Sequence, residues 1–452
     1  MLALPHLAFA IGLGFLIAPT GLLARLIANL FTGWTEPPQW QTVQDANGIG
    51  LIIALVLKET PFIVWAMASV LNREDVKRAF EGQRMVARSL GHGERAIWLK
   101  VLLPQVMPRI IWPLVAVFSY GMTVVDMALV IGPAQPPTLA NLIWTDLNDG
   151  EVLANGRGAA GVLVLTGIIA ALLGVAVALV KGAQPLLHNF YRSPAHDELK
   201  LAPSRPLWNI IRLIYFLVVF VLVLQSFSGL WPFPQLIAEQ LSPKSWLRLL
   251  QDGKPLFTSL LLALATTATA LLACLMWLEN SSVKQDRIVL LACGLSLCLP
   301  PLLIALGQYR LFLQLGLTGT ATGLFLAHVL PVTAYVFIML QGPYRAFDPR
   351  WRSVSDGIAA SSWRFYFRIK LPLLKAPLLG AAAVGFAVSM AQFVTAQLAA
   401  AGRFSTLPME AVTLASGSNR PLFATYALAL MLLPLLVFLL ASIFSRSRWS
   451  VA

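Results

Sequence analysis

The chain has 452 residues, 58% hydrophobic and only 12% charged, with mean hydropathy +0.75; an ordinary soluble domain carries about a quarter charged residues, so that class is set aside. The apolar runs are long enough to cross roughly 30 Å of hydrocarbon at about 1.5 Å per helical residue, whereas barrel strands are short and alternate in polarity, which excludes a β-barrel. The net charge of +13 does not indicate nucleic-acid binding, because Lys and Arg collect between the apolar runs, as they do in cytoplasmic loops.

The first run, "MLALPHLAFAIGLGFLIAPTGLLARLIANLF", lacks the basic leader of a signal peptide and is long for a signal core. It reads as a spanning helix over 5–30. A polar stretch, 31–46, carries only Glu36 and Asp45. The second span, 47–71, has Lys58 and Glu59 near its middle, followed by Thr60-Pro61. Then 72–109 turns basic, with Arg73, Lys77, Arg78, Arg84, Arg88 and Arg95 among its residues. Spans 109–132, which contains Asp126, and 159–182 complete the first part. After 183–206 come spans 207–230, 256–279, 288–307 and 318–340, the last with His328 and Pro331. A second basic stretch, 341–376, precedes span 377–401, which holds Gln392, Thr395 and Gln397. Span 421–444 and the tail "RSRWSVA" end the chain. This predicts an all-α polytopic membrane protein with about ten transmembrane helices. The basic stretches 72–109 and 341–376 are placed inside, as are 183–206 and the tail, while 31–46, 133–158 and 402–420 fall outside.

The chain repeats itself. "LPHLAFAIG" at 4–12 resembles "LPPLLIALG" at 299–307, "IGLIIALVLKETPFIVW" at 49–65 resembles "TGLFLAHVLPVTAYVFI" at 322–338, and Leu103-Pro104 matches Leu371-Pro372. Both copies face the same way, so the repeat is parallel rather than inverted. Residues 1–182 form the first half, 183–206 a cytoplasmic linker and 207–452 the second half. Spans 207–230 and 256–279 have no counterpart before residue 4, which divides the spans as about four and about six. Either such chains tolerate a short first half, or this start lies downstream of a longer original.

Each basic stretch is expected to form two short helices with a break between them. In the first, "EDVKRAFEGQRMVARSL" is helix-compatible, Gly91-His92-Gly93 interrupts it, and "ERAIWLKVLL" leads to Pro104. In the second, Asp348-Pro349 precedes "RWRSVSDGIAA", Ser361 or Ser362 caps the next turn, and "WRFYFRIKL" leads to Pro372. The second helix of each pair mixes basic residues with aromatics, which suits a helix at the membrane surface with one face free for a partner.

These stretches resemble the cytoplasmic loop motif of ABC importer permeases, Glu-Ala-Ala followed by Gly and then Ile-x-Leu-Pro. Gly91, Val101, Leu103 and Pro104 fit the later positions of one copy, and Ile369, Leu371 and Pro372 those of the other. The Glu-Ala-Ala positions read Met85-Val86-Ala87 and Ser353-Val354-Ser355, and Ala359 stands at the second glycine, with Gly357 two residues early. Two such loops in one chain resemble the fused permeases of the iron(III)/thiamine type. The resemblance implies two copies of a cytoplasmic ATPase, docked through Ala87, Leu90, Gly91, Trp98, Leu103 and Pro104 and through Ala359, Ala360, Tyr366, Ile369, Leu371 and Pro372. It also implies a periplasmic or lipid-anchored solute-binding protein and a small solute as cargo. The motor is expected in a partner chain, because no G-x-x-x-x-G-K-[ST] run occurs.

Charges at mid-membrane mark function or a buried pair. Glu59, Asp126, His328 and Gln392 are candidates for a translocation path, with Trp65, Tyr120 or Phe393 as aromatic neighbours suited to a cation such as thiamine. The competing expectation is a Lys58–Asp126 ion pair, with amides as interhelical glue. No cofactor or metal site is expected: H-E-x-x-H is absent, and Cys274, Cys293 and Cys298 lack ligand spacing. The five histidines are scattered, so no convergent catalytic set is read. An ion-coupled secondary transporter with parallel repeats is the alternative.

Overall fold

The computed structural model describes residues 1, 4–192, 204–357 and 361–445. It is all-α, and among the described residues the only β pairing is an isolated bridge between Ser228 and Leu241. Among the described residues, seven helices are long and apolar enough to cross a membrane, and three bent helix pairs bring the number to ten if each pair is one span.

One bend sits where prolines interrupt a predicted span; the other two fall at 110 and 374, beside the starts of spans 109–132 and 377–401. Span 288–307 is a pair, Val283–Cys298 and Pro301–Gln314, bent by 104°. Pro300 and Pro301 supply no N–H there, so the helical ladder cannot continue through them. Glu94–Arg109 meets Ile111–Thr123 at 67°, and Ser362–Leu373 meets Lys375–Met390 at 72°. Spans 109–132 and 377–401 break a second time, at 124–125 and 391–393, before the short helices Asp126–Ile131 and Val394–Ala400.

The order of elements recurs. Ile49–Leu71, Glu74–Ser89, the bent pair, Asp126–Ile131, Leu139–Leu147 and Val152–Arg192 are matched by Ala321–Arg345, Arg350–Gly357, the second bent pair, Val394–Ala400, Leu407–Ala415 and Arg420–Ser445. A π-helical turn precedes Leu-Pro in both copies, at Ile97–Leu102 and Tyr366–Lys370. Pro104 and Pro372 lack the N–H that an α-turn would use there, and each ring crowds the carbonyl four residues back, so the turn widens.

The two copies exchange packing. His6–Ile17 lies on Asp126–Ile131 of its own copy and against Ser204–Phe227 and Arg420–Ser445 of the other. Pro301–Gln314 lies on Val394–Ala400 and against Val152–Arg192. One apolar core joins Phe9, Ile11 and Met127 to Val218, Leu222 and Leu430; another joins Ile143 and Leu165 to Leu302, Ala396 and Ala399. Gly12 permits the first contact, because a Cβ there would fall 2.7 Å from Val218 Cγ1.

Val152–Arg192 is 41 residues long, about 60 Å at helical rise and twice the hydrocarbon thickness. It therefore runs past the predicted span 159–182 into 183–206, and Ser204–Phe227 starts inside the same stretch. Residues 193–203 of the expected linker, Ala359 and Ala360, and the tail from 446 lie outside the described residues.

Candidate functional site

Ile49–Leu71 carries Pro61 inside it. Pro61 offers no N–H to the carbonyl of Leu57, and Tyr215 Oη from Ser204–Phe227 donates to that carbonyl at 3.1 Å. Pro331 leaves the Ala327 carbonyl in the same state, and Gln308 Nε2 reaches it at 3.4 Å. Each broken ladder is thus mended by a side chain from a neighbouring helix.

Two residues from this repair, Glu59 Oε1 lies 2.8 Å from His6 Nε2. The His6 ring sits 4.8 Å from the ring of Tyr120. Tyr120 and Tyr335 lie within electrostatic reach of Glu59, and His6 within that of Asp126. The result is a cluster of two carboxylates, a histidine and two tyrosines, with Tyr335 contributed by the second copy.

The expected Lys58–Asp126 pair does not form. Lys58 is 3% exposed and has no hydrogen bond or ion pair among the described residues. Asp126 is the first residue of the short helix Asp126–Ile131, beside the first-turn N–H groups that have no partner within the helix. A carboxylate at a helix N-terminus already has donors and a favourable dipole, so it does not require a lysine. Adjacent helical residues point about 100° apart, which turns Lys58 away when Glu59 faces His6.

The other candidates lie apart. His328, 1% exposed, has Nδ1 2.9 Å from Ser389 Oγ, which in turn lies 3.2 Å from Thr266 Oγ1. That places it within the second copy, among Lys254–Asn280, Ala321–Arg345 and Lys375–Met390, with no hydrogen bond to Glu59 or Asp126. Gln392 occupies the break before Val394–Ala400 and accepts from Thr395 Oγ1 at 2.7 Å. Phe393 packs on Trp144, 5.4 Å between ring centres, while Trp65 stacks on Phe62 and faces outward. Of the three expected aromatics, only Tyr120 joins the cluster. His6 and Tyr335 were missed, because nothing in the sequence places residue 6 beside residue 59 or residue 335. Among the described residues no group of three or more His, Cys, Asp or Glu is arranged for a metal ion.

The two surface loops are built alike. Glu74–Ser89 ends in a Schellman motif: Gly91 has φ +81°, and the His92 N–H reaches the Ala87 carbonyl at 3.0 Å. Ala87 is buried with Phe80, Ile97 and Leu102, and Trp98 packs against them. Glu94 ties the two helices together, accepting from Arg84 at 2.7 Å and Arg88 at 2.6 Å. Gln105 Nε2 donates to Gln83 Oε1 at 2.8 Å. In the second loop Ser361 Oγ caps Ser362–Phe365 through the Arg364 N–H, and Arg352 donates to Ser362 Oγ at 2.9 Å. The side chain and backbone N–H of Arg350 hold the Asp348 carboxyl below the usual carboxylate range. Leu103, Pro104, Tyr366, Ile369 and Leu371 are half-buried, whereas Leu90 and Pro372 are exposed.

Apolar side chains stand out at matching places on both loops. Val86 is 60% exposed and Val354 61%. Met85, Leu90 and Leu99 accompany the first; Trp351, Trp363 and Phe367 accompany the second. Trp363 and Phe367 are stacked, 5.3 Å apart and 3° from parallel.

A bundle of up to ten spans, with a polar cluster shared by two repeated copies and two basic loops of common design, defines a multi-pass transport protein. No protein-family profile matches the chain. It is 32% identical over 448 residues to the inner membrane ABC transporter permease protein YnjC of Escherichia coli (strain K12), an alignment covering 99% of this chain and 80% of that protein. The chain belongs to the inner membrane ABC transporter permeases. It is a transport subunit of the inner membrane rather than an enzyme, and membership implies an ATPase partner.

Proposed function

We propose that the chain forms the translocation path of an ATP-driven importer, with residues of both permease halves fused in one polypeptide. Residues 1–182 supply the first half, 183–206 the cytoplasmic connection and 207–452 the second half. Loops 72–108 and 341–376 receive two copies of a cytoplasmic ATPase that hydrolyses the ATP. The observation that carries this reading is the pair of exposed apolar patches around Val86 and Val354. An apolar patch at matched positions on two basic, water-facing loops marks a covered surface, and two similar patches suit two similar partners. When nucleotide draws the partners together, the loops tilt the halves about their seam.

Cargo passes the cluster of Glu59, Asp126, His6, Tyr120 and Tyr335. Gln392 adds an amide at the break in the second half, and His328 stands behind it through Ser389. Carboxylates beside tyrosine faces favour a small cation, as in the iron(III)/thiamine type, handed over by a periplasmic or lipid-anchored binding protein. The test is co-purification with the ATPase, followed by assay of its hydrolysis with the binding protein and thiamine or iron(III) as probes. The reading expects the ATPase to be retained by the wild-type chain and lost when Val86→Glu and Val354→Glu are combined. Retention by that double variant would overturn it.

A further inference from the structure

A cavity of about 450 Å³ lies at the end of the bundle opposite the second basic loop. Lys254–Asn280 fixes its place. Lys254 lines the cavity, and the helix then runs about 40 Å at helical rise to the turn where Glu279 accepts from Lys370 of that loop at 2.5 Å. No residue of the cluster around Glu59 lines this cavity.

Four elements supply its polar groups. Arg248 comes from Lys244–Gln251, and Asp252 follows that helix; the two make a loose ion pair at 3.6 Å. Lys254 is the first residue of its helix, beside first-turn N–H groups that have no partner within the helix. Glu410 lies in the first turn of Leu407–Ala415. Tyr426, from Arg420–Ser445, is 5% exposed and belongs to the apolar core that joins the two copies. Glu410, Asp252 and Arg248 all lie within electrostatic reach of its hydroxyl.

Three of these groups have no partner among the described residues: the side chains of Lys254 and Glu410 make no ion pair or hydrogen bond there, and the Tyr426 hydroxyl makes no hydrogen bond. A tyrosine set in an apolar core ordinarily has its hydroxyl bonded; one that faces a cavity unbonded points to a partner from outside the chain. The repeat does not need the pair to fold. Aligned on Thr138-Leu139 and Thr406-Leu407, the first copy has Leu142 and Gly158 where the second has Glu410 and Tyr426. The chemistry of the partner follows from the charges. A carboxylate beside a tyrosine hydroxyl takes an ammonium. A lysine at a helix N-terminus takes an anion, and Arg248, held only loosely by Asp252, adds the second cation that suits a phosphate. Leu414 and Leu422 line the same cavity and suit the short methylene chain between two such ends.

We propose that this cavity binds an aminoalkyl phosphate, with the ammonium on Glu410 and Tyr426 and the phosphate on Lys254 and Arg248. Free solutes and the headgroup of phosphatidylethanolamine share that chemistry, so the test has two arms, both on the whole chain. In the first, the chain sits in nanodiscs of phosphatidylglycerol, and radiolabelled O-phosphoethanolamine is the probe. In the second, the nanodiscs hold phosphatidylethanolamine and phosphatidylglycerol in equal parts, and the lipids retained by the released chain are counted by native mass spectrometry. Saturable binding of one probe per chain in the first arm identifies a free solute. One retained phosphatidylethanolamine per chain, preferred over phosphatidylglycerol at least about tenfold, identifies the headgroup. In the arm that binds, Glu410→Gln and Lys254→Gln are expected to weaken binding at least about tenfold, and Tyr426→Phe, which keeps the ring, about threefold. In the first arm inorganic phosphate is expected to compete at least about tenfold more weakly than the probe. Silence in both arms, binding unchanged by Glu410→Gln or Lys254→Gln, or phosphate alone matching O-phosphoethanolamine would each overturn the proposal.

Discussion

Lys58 and Glu59 are neighbours with opposite environments, and that contrast yields two expectations. Glu59 meets His6 at 2.8 Å and shares the seam with Tyr120 and Tyr335. Glu59→Gln keeps the shape and a hydrogen bond but removes the charge that would draw a cation. Uptake of cationic probes into vesicles should fall by about tenfold or more, since an unshielded charge at this depth contributes at least about 1.4 kcal/mol. Unchanged uptake of thiamine, iron(III) and other cations would remove Glu59 from the path. Lys58, by contrast, is buried and has no hydrogen bond or ion pair among the described residues. Exchanging an unmatched buried charge for an apolar chain of similar length is commonly neutral or stabilising by about 1–4 kcal/mol. Lys58→Met should therefore raise the midpoint of thermal unfolding in detergent, read by loss of the monodisperse peak after heating. At this scale the sequence was only half legible. It marked 58, 59 and 126 as unusual, because a charge inside an apolar run is visible by inspection. It could not give their partners, because His6 and Tyr335 come from other helices. The Lys58–Asp126 expectation failed because it overlooked the N–H groups that the break at 124–125 sets free.

Elements were more legible than their bends. Apolar runs follow from composition alone, and each of the predicted spans contains a helix. The bends depend on whether a proline is absorbed by a neighbour, as Pro61 is by Tyr215, or ends the helix, as Pro300-Pro301 does. That decision belongs to packing and has no local signature. The outer end of the first span shows the same dependence. Arg25 is buried, yet among the described residues it forms no ion pair with a carboxylate. It donates instead to the carbonyls of Thr20, Trp231, Pro232 and Gln235 at 3.0, 2.9, 2.7 and 2.6 Å. It also lies 4.7 Å from the centre of the Trp231 ring. The planar fork of a guanidinium reaches several carbonyls at once, and an ammonium does not. Arg25→Lys should therefore free the loop 228–241 while leaving the helices folded. Faster proteolysis confined to that loop, in otherwise intact protein, is the expected result; an unchanged digestion pattern would show that the loop is held by other contacts.

At the scale of the molecule, the question is what holds the two copies together. Lipid is as apolar as leucine, so the hydrophobic effect does little between spans, and close packing of small residues takes its place. The seam has that character. Ala8, Ala10, Ala128, Ala396, Ala399, Ala424 and Ala427 are buried in cores that draw on both copies. Gly12 admits Val218 and Leu222 closer than any side chain would allow. The repeat itself was readable from Leu-Pro and its flanks, but the exchange of His6–Ile17 and Pro301–Gln314 across the seam was not, because parallel repeats pack equally well without it. The exchange has a consequence for the connection at 193–203. If the seam carries the association, a covalent link between the halves raises local concentration without being required for assembly. Residues 1–192 and 204–452 expressed as separate polypeptides should then be recovered as a one-to-one complex from detergent extracts. Gly12→Leu should abolish recovery by forcing His6–Ile17 away from Ser204–Phe227, whereas a substitution on the outward face, such as Leu172→Ala, should not. Recovery that persists in Gly12→Leu would place the decisive contacts elsewhere, at the interface of Pro301–Gln314 with Val152–Arg192.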